Sequence, residues 1–140
     1  MGRHRRCSFQ YEGTYLKFIQ HTQATVAGAV ALADVITRIQ HEKVDYDVLI
    51  CGAILHDVSK PVEYESYDEN GCAVHSKEGD AYQHAFLGAA KAVEMGFPVE
   101  IVKIILCHTP QSTKKLGTIE GLLLMCGDHA SAHSANHKFD

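Results

Sequence analysis

Three apolar stripes with the spacing of an α-helix each end in a residue that can bind a metal. Their members stand at i, i+3, i+4 and i+7, and they are Ile50, Ala53, Ile54 and Asp57; Ile101, Ile104, Ile105 and His108; and Gly121, Leu124, Met125 and Asp128. Such spacing gathers residues on the helical face that packs against a core. One polar residue on such a face is usually satisfied by hydrogen bonds. Three of them, with His56 beside Asp57 and with His21 and His84 at the starts of two further apolar stretches, indicate a buried metal site.

The same periodicity predicts an all-α fold, a compact bundle of about five to six helices with one small β-hairpin near residues 62–75. The expected helices cover residues 15–40, 45–59, 80–94, 98–109 and 117–134, the first with a break near His21 as an open alternative. Asp45 or Asp47 can cap the second helix, and Pro61 is expected to end it. Residues typical of strands flank Asn70-Gly71, a dipeptide that favours a hairpin turn.

Length and charge exclude several classes of protein. A chain of 140 residues fits one domain, expected to span residues 1–140, with residues 1–10 as a flexible tail. The formal net charge of −4 argues against a general nucleic-acid-binding surface, although Arg3, Arg5 and Arg6 form a short basic start. No apolar run is long enough for a membrane span, and no signal peptide is visible.

The five cysteines suggest a reducing compartment. Their number is odd, and no pair has the C-x-x-C spacing of a zinc ribbon; they are Cys7, Cys51, Cys72, Cys107 and Cys126. We therefore expect a soluble cytoplasmic protein without a disulfide framework. The oligomeric state stays open, with a homo-oligomer as one alternative.

The order of the candidate ligands resembles the H…HD…H…H…D signature of the HD-domain metalloenzyme superfamily. It runs through His21, His56-Asp57, His84, His108 and Asp128. The segment from Gly52 to Lys60 is similar to the usual L-L-H-D-I-G-K form and departs from it at Ser59, where glycine is common. The hairpin followed by His84-Ala85-Phe86-Leu87-Gly88 most resembles the HD domains of bacterial 3′-to-5′ exoribonucleases, whose additional nucleic-acid-binding domain is not seen in this sequence.

The resemblance implies a role for each matching residue. His21, His56, Asp57 and Asp128 would hold one metal, and His84 and His108 would add a second, with Asp57 as the bridge and a catalytic residue. One metal with His84 as a substrate contact is the alternative. This mixture of imidazole and carboxylate suits Fe, Mn, Co, Ni or Zn, with iron or manganese favoured.

Several other polar residues have both a functional and a plain structural interpretation. Lys60 stands one helical turn after Asp57 and is predicted to be catalytic by contacting the substrate anion; a lysine that stabilises a helix C-terminus is the alternative. His75 and Lys77 could reach the site or lie in a solvated loop. His129, His133 and His137 recur every four residues and are interpreted as a surface face.

The predicted function is hydrolysis of a phosphomonoester or phosphodiester in a small, nucleotide-like substrate, through a metal-bound hydroxide. The ligands alone also allow a mixed-valent di-iron oxygenase, which is known on the same set of ligands. A regulatory metal-binding module without catalysis is the third alternative.

Overall fold

Helices form most of the described chain, with one hairpin between them. The computed structural model describes residues 15–69, 73–109, 112 and 114–135. The elements are α1 (Tyr15–Gln40), α2 (Tyr46–Leu55), α3 (Lys60–Glu63), β1 (Tyr64–Tyr67), β2 (Ala73–His75), α4 (Lys77–Ala81), α5 (His84–Glu94), α6 (Val99–Cys107) and α7 (Ile119–Ala135). The predicted all-α fold with a small hairpin is confirmed. The predicted tail, residues 1–10, lies outside the described residues, as do Asn70 and Gly71 of the expected turn.

The core lies where α1, α2, α6 and α7 meet, and α5 and α6 enclose a second apolar cluster beside it. Helix α1 packs along α7 and α2, while α2 also contacts α6. Leu49, Ile105, Leu123 and Leu124 are almost completely buried. Full burial of one such side chain contributes about 1.5–3 kcal/mol. None of the described helices has the length and apolar character that crossing a membrane requires.

The second helix ends earlier than predicted. Helix α2 stops at Leu55, and the chain then makes tight turns in which Val58 N–H donates to the Leu55 carbonyl (3.1 Å) and Lys60 N–H donates to the Asp57 carbonyl (2.9 Å). Pro61 therefore does not end α2 but lies in the first turn of α3, where its missing N–H has no helical partner to lose. The His-Asp pair thus lies on a turn between two helices.

The buried face of α2 is offset by one residue from the predicted stripe. Ile54 is 51% exposed, whereas Leu49, Gly52 and Ala53 are buried. His56 stands seven positions after Leu49 and continues that face. Asp57 is nevertheless buried, because the helix has ended and the turn redirects its side chain.

One other predicted boundary was wrong, and the remaining helices lie close to their predicted ranges. The helix expected over about 80–94 starts at His84, after the separate short helix α4, whereas the helix expected over about 98–109 covers Val99–Cys107 with Pro98 as its N-cap, and the last helix covers Ile119–Ala135. Helix α1 runs unbroken past His21. Asp45 caps α2 by accepting from the N–H groups of Asp47 and Val48, both at 3.1 Å.

The close approach of α1 and α7 depends on Gly127. A Cβ at this position would lie 2.6 Å from the Thr25 carbonyl oxygen and 3.0 Å from the Ala29 nitrogen, two atoms of the α1 backbone. We expect Gly127→Ala to lower the free energy of unfolding by about 1–3 kcal/mol, because overpacking outweighs the gain in helix propensity of about 1 kcal/mol. Urea denaturation measures the change.

Gly28→Ala is the matched control on the facing helix. Its Cβ would meet only the Gly127 Cα at 3.5 Å, an ordinary contact. The control should be as stable as the wild type or slightly more stable. Equal stability of the two variants would show that the helices do not require glycine at 127.

Candidate metal centre

Six histidine and aspartate side chains from five parts of the fold converge in one cluster. All six are the residues predicted as ligands. His21 comes from α1, His56 and Asp57 from the turn after α2, His84 from the first residue of α5, His108 from the end of α6, and Asp128 from α7. His56, Asp57 and His108 are buried, and the other three are partly buried.

The first half of this cluster surrounds Oδ2 of Asp57. His21 Nε2 lies 3.7 Å and His56 Nε2 lies 3.6 Å from that oxygen. Asp128 Oδ1 closes the group, at 3.1 Å from His21 Nε2 and 3.8 Å from His56 Nε2. Four potential ligand atoms therefore face one another.

The second half surrounds the other oxygen of the same carboxylate. Asp57 Oδ1 lies 3.1 Å from His84 Nε2 and 3.3 Å from His108 Nε2, and the two nitrogens are 3.2 Å apart. Asp57 thus presents one carboxylate oxygen to each half of the cluster.

Hydrogen bonds at Nδ1 orient the ring of each of the four histidines. His56 and His108 lie 2.8 Å and 2.7 Å from the carbonyl oxygens of Ala53 and Ile105, so in each ring Nδ1 carries the proton and donates it. His21 Nδ1 is 2.9 Å from Ser131 Oγ. The fourth ring, that of His84, faces the Glu63 carboxylate. In neutral rings with this tautomer, each Nε2 carries a lone pair directed into the cluster.

The cluster fits a metal by both chemistry and spacing. Nε2 of His56 is fully buried and has no hydrogen-bond partner among the described residues. Such an orphaned acceptor is costly unless a ligand satisfies it. Ligands bound at about 2.1 Å stand roughly 3.0 Å apart in an octahedron and roughly 3.4 Å apart in a tetrahedron. Most of the separations above are close to these values.

A comparison with known families agrees with this arrangement. The HD domain family matches residues 18–133, which contain all six residues of the cluster. The chain belongs to the HD domain family. Divalent metals are bound by HD domains, and the described residues of this one include two groups that could hold them, His21-His56-Asp57 and Asp57-His84-His108.

A curated relative of this HD domain is a longer protein. The chain is 31% identical over 124 residues to dihydroneopterin 2′,3′-cyclic phosphate phosphodiesterase of Methanocaldococcus jannaschii. The match covers 88% of this chain and 48% of the relative, so the chain spans about half of the relative's length. No solved structure matches the chain significantly. The resemblance to exoribonuclease HD domains stays a prediction.

The carboxylates of the HD domain are held in their ionised form. Burial tends to raise the pKa of Asp57, but the adjacent imidazoles of His108, His84 and His56 and the Lys60 ammonium outweigh burial and hold that pKa well below its usual value. Asp128 follows the same pattern, since the neighbouring His21 and His56 outweigh burial and lower its pKa. Both side chains are therefore available as anionic ligands at neutral pH.

His56 and His84, which belong to different halves of the cluster, have pKa values that are shifted in opposite directions. Burial lowers the pKa of His56, which favours the neutral ring that a metal needs. Burial also disfavours charge on His84, but hydrogen bonds to Asp57 and Glu63 outweigh it and raise the pKa of His84. A proton therefore competes with a metal ion for the His84 ring.

Two residues that contact the cluster were not identified from the sequence. Glu63 is bonded to His84, and Ser131 is bonded to His21. Glu63 stands three positions after Lys60, a spacing that puts both on one helical face, but no sequence signal separates it from solvated acidic residues. Ser131 follows Asp128 by three positions on α7, which puts both on one helical face, but no sequence signal separates it from the other polar residues of that helix.

The remaining candidates lie outside the cluster. Lys60 is buried at the start of α3, with Nζ 3.6 Å from Glu63 Oε2, so it is not a lysine at the C-terminus of α2. His75 is exposed and contacts the Tyr64 ring at 4.8 Å, and Lys77 is exposed. His129 and His133 form an exposed stacked pair, while His137 lies outside the described residues.

Proposed function

We propose that this HD domain is a metal-dependent phosphohydrolase that cleaves a phosphodiester with two divalent metals held by the cluster. The two faces of Asp57 carry this proposal, because each oxygen is surrounded by its own set of imidazole nitrogens. A site for one metal would need only one of these sets. Mixed nitrogen and oxygen ligands favour a transition metal, and we favour iron or manganese among Fe, Mn, Co, Ni and Zn.

Each half of the cluster would hold one metal. His21, His56, Asp57 and Asp128 would bind the first, and Asp57, His84 and His108 the second. When bound, such metals would supply Lewis acidity, which lowers the pKa of a coordinated water toward about 7 and polarises a phosphoryl oxygen.

The exposure of the ligands indicates the side from which a substrate arrives. The His56 side chain is completely buried, whereas the side chains of His84 and Asp128 are 14% and 17% exposed. A phosphate group would therefore approach the cluster past these more exposed ligands, away from the buried His56 side chain.

Lys60 would act on the charge of the substrate. It opens α3 directly after the turn that carries Asp57, and its ammonium contributes to the lowered pKa of that carboxyl. A fixed positive charge beside the cluster would stabilise the negative charge that develops on the phosphoryl group. His75 and Lys77 have no role in this proposal.

The activity of the curated relative supports the substrate class. That protein is a phosphodiesterase for a 2′,3′-cyclic phosphate. We infer a small nucleotide-like phosphodiester as substrate here, with a 2′,3′-cyclic phosphate as the first compound to test. A single domain over residues 1–140 and a cytoplasmic location stay predictions, with a homo-oligomer as one alternative for the assembly.

Hydrolysis should not depend on oxygen. It needs Lewis acidity only, so we expect the metal-stripped protein to regain cleavage of a nucleoside 2′,3′-cyclic phosphate when reloaded anaerobically with Mn²⁺ or Co²⁺. Phosphorus NMR of the product, with elemental analysis of the loaded protein, measures turnover and metal content together.

The oxygenase alternative makes the opposite demand, because oxygen activation requires electrons from iron. Turnover that needs dioxygen and is restored by iron alone, together with a mixed-valent paramagnetic signal, would replace the hydrolase proposal. Bound metal without turnover on phosphodiesters or phosphomonoesters would instead support the regulatory alternative.

A further inference from the structure

Glu63 is a buried carboxylate beside the cluster that has no part in the chemistry proposed above. It is 6% exposed, and its two oxygens lie 3.4 Å and 3.3 Å from Nδ1 of His84. Lys60 Nζ is 3.6 Å from the same carboxylate. Burying a carboxylate costs free energy unless it is paired. Glu63 is paired with His84, a candidate metal ligand, and this pairing indicates a role for Glu63 in the site.

The backbone of Glu63 is held on both sides. Its N–H donates to the Ser59 carbonyl (3.0 Å), and its own carbonyl accepts from Ser76 N–H (2.9 Å). Helix α4 packs against that carbonyl so closely that a Cβ at Gly79 would overlap it. The backbone that carries the Glu63 carboxylate is therefore fixed in position.

His84 is held at a second point by the same short segment. The Ser59 hydroxyl donates to the main-chain carbonyl of His84, at the start of α5. A glycine at position 59 could not form this bond. Ser59 thus holds the backbone of His84, and Glu63 holds its ring.

Among the four cluster histidines, only His84 donates from Nδ1 to a carboxylate. His56 and His108 donate to carbonyl oxygens, and His21 pairs with a hydroxyl. A carboxylate at Nδ1 fixes the tautomer and ring orientation of a ligating histidine and makes Nε2 a stronger donor to the metal. The half that has fewer protein ligands therefore contains the most electron-rich imidazole.

We propose that Glu63 is a positioning residue that holds His84 with Nε2 toward Asp57 and thereby retains the second metal. The inference rests on the two-metal site of the proposed function. Groups that orient metal ligands typically change metal affinity by about 10–100-fold when removed. The loss should be confined to the half formed by His84 and His108, because Glu63 does not contact the other half.

Metal titration of three variants tests this role. Glu63→Leu fills the space without an acceptor, and we expect its second metal to bind about 10–100-fold more weakly while the first binds as in the wild type. Glu63→Gln keeps an acceptor for Nδ1–H and should recover part of that affinity. Glu65→Leu is the control, since Glu65 is exposed on β1. If Glu63→Leu does not fold, Glu63→Ala is measured in the same way.

The tautomer of His84 in the metal-free protein gives an independent measurement. Nitrogen NMR at a pH where the ring is neutral should show the proton on Nδ1 in the wild type and in Glu63→Gln, and a mixture of tautomers in Glu63→Leu. If the wild type binds only one metal and Glu63→Leu still shows the mixture of tautomers, the two-metal site is contradicted and the orienting contact is established. Unchanged second-metal affinity or an unchanged tautomer in Glu63→Leu would overturn the role of Glu63.

Discussion

Asp57→Asn should empty both halves of the cluster of metal and remove phosphodiester hydrolysis. The substitution keeps the size of the side chain but removes its charge and one of its two ligand oxygens. Asp57 Oδ2 lies near Nε2 of His21 and His56, and Oδ1 lies near Nε2 of His84 and His108, so a single substitution weakens both halves. Removing a group that only orients a ligand typically costs about 10–100-fold, so loss of the shared ligand should lower turnover by at least about 10³-fold.

Elemental analysis and steady-state kinetics of the same preparations check this expectation. His84→Ala and His108→Ala provide the comparison, because each should lower the metal content from two per chain toward one. Asp47→Asn, on the exposed first turn of α2, is the matched control and should keep both metals. Full metal content in both histidine variants would show that the second half holds no metal.

Lys60→Met should leave the metal content unchanged and lower kcat by about 10²–10³-fold, the usual cost of removing a charge-stabilising donor. Methionine keeps an unbranched side chain of similar length in this buried position but has no ammonium group. Because the ammonium would act on charge that develops during the reaction, kcat and kcat/KM should fall together. Kinetics on a cyclic phosphodiester with the fully loaded protein measure the effect.

Lys77→Met is the control for Lys60. This lysine is exposed at the start of α4, and its loss should not change kcat. If Lys60→Met keeps wild-type kcat, the lysine has a structural role, to which its ion pair with Glu63 belongs, and no role in the reaction. A rise in KM with constant kcat would instead place Lys60 in substrate binding without a role in the reaction.

Local periodicity was sufficient to identify much of the site. The stripe of Ile101, Ile104 and Ile105 is buried in the structure, and His108 ends it at 3% exposure. Helix α6 continues far enough for its spacing to predict the direction of each side chain. The same reasoning placed Asp128 on the inner side of α7 and predicted the all-α fold.

The periodicity argument was wrong where a helix ended. Ile54 was expected to face the core but is 51% exposed, and Asp57 reaches the cluster from a turn after α2. The helical repeat carries no information beyond the last helical residue. The motif and the helical stripe both predicted a buried Asp57, and Asp57 is buried. Its burial results from the turn after α2 and not from the face of a helix.

The sequence by itself determined the helical fold, the hairpin and the six residues that converge, because helical periodicity and the order of the motif residues can both be read along the chain. Only the tertiary structure decided how the cluster is divided and oriented. Asp57 faces two sets of nitrogens, and His21 pairs with Ser131 across 110 residues. Glu63 meets His84 across 21 residues because α3 and α5 pack together. Such contacts depend on the packing of separate elements, which no local repeat records.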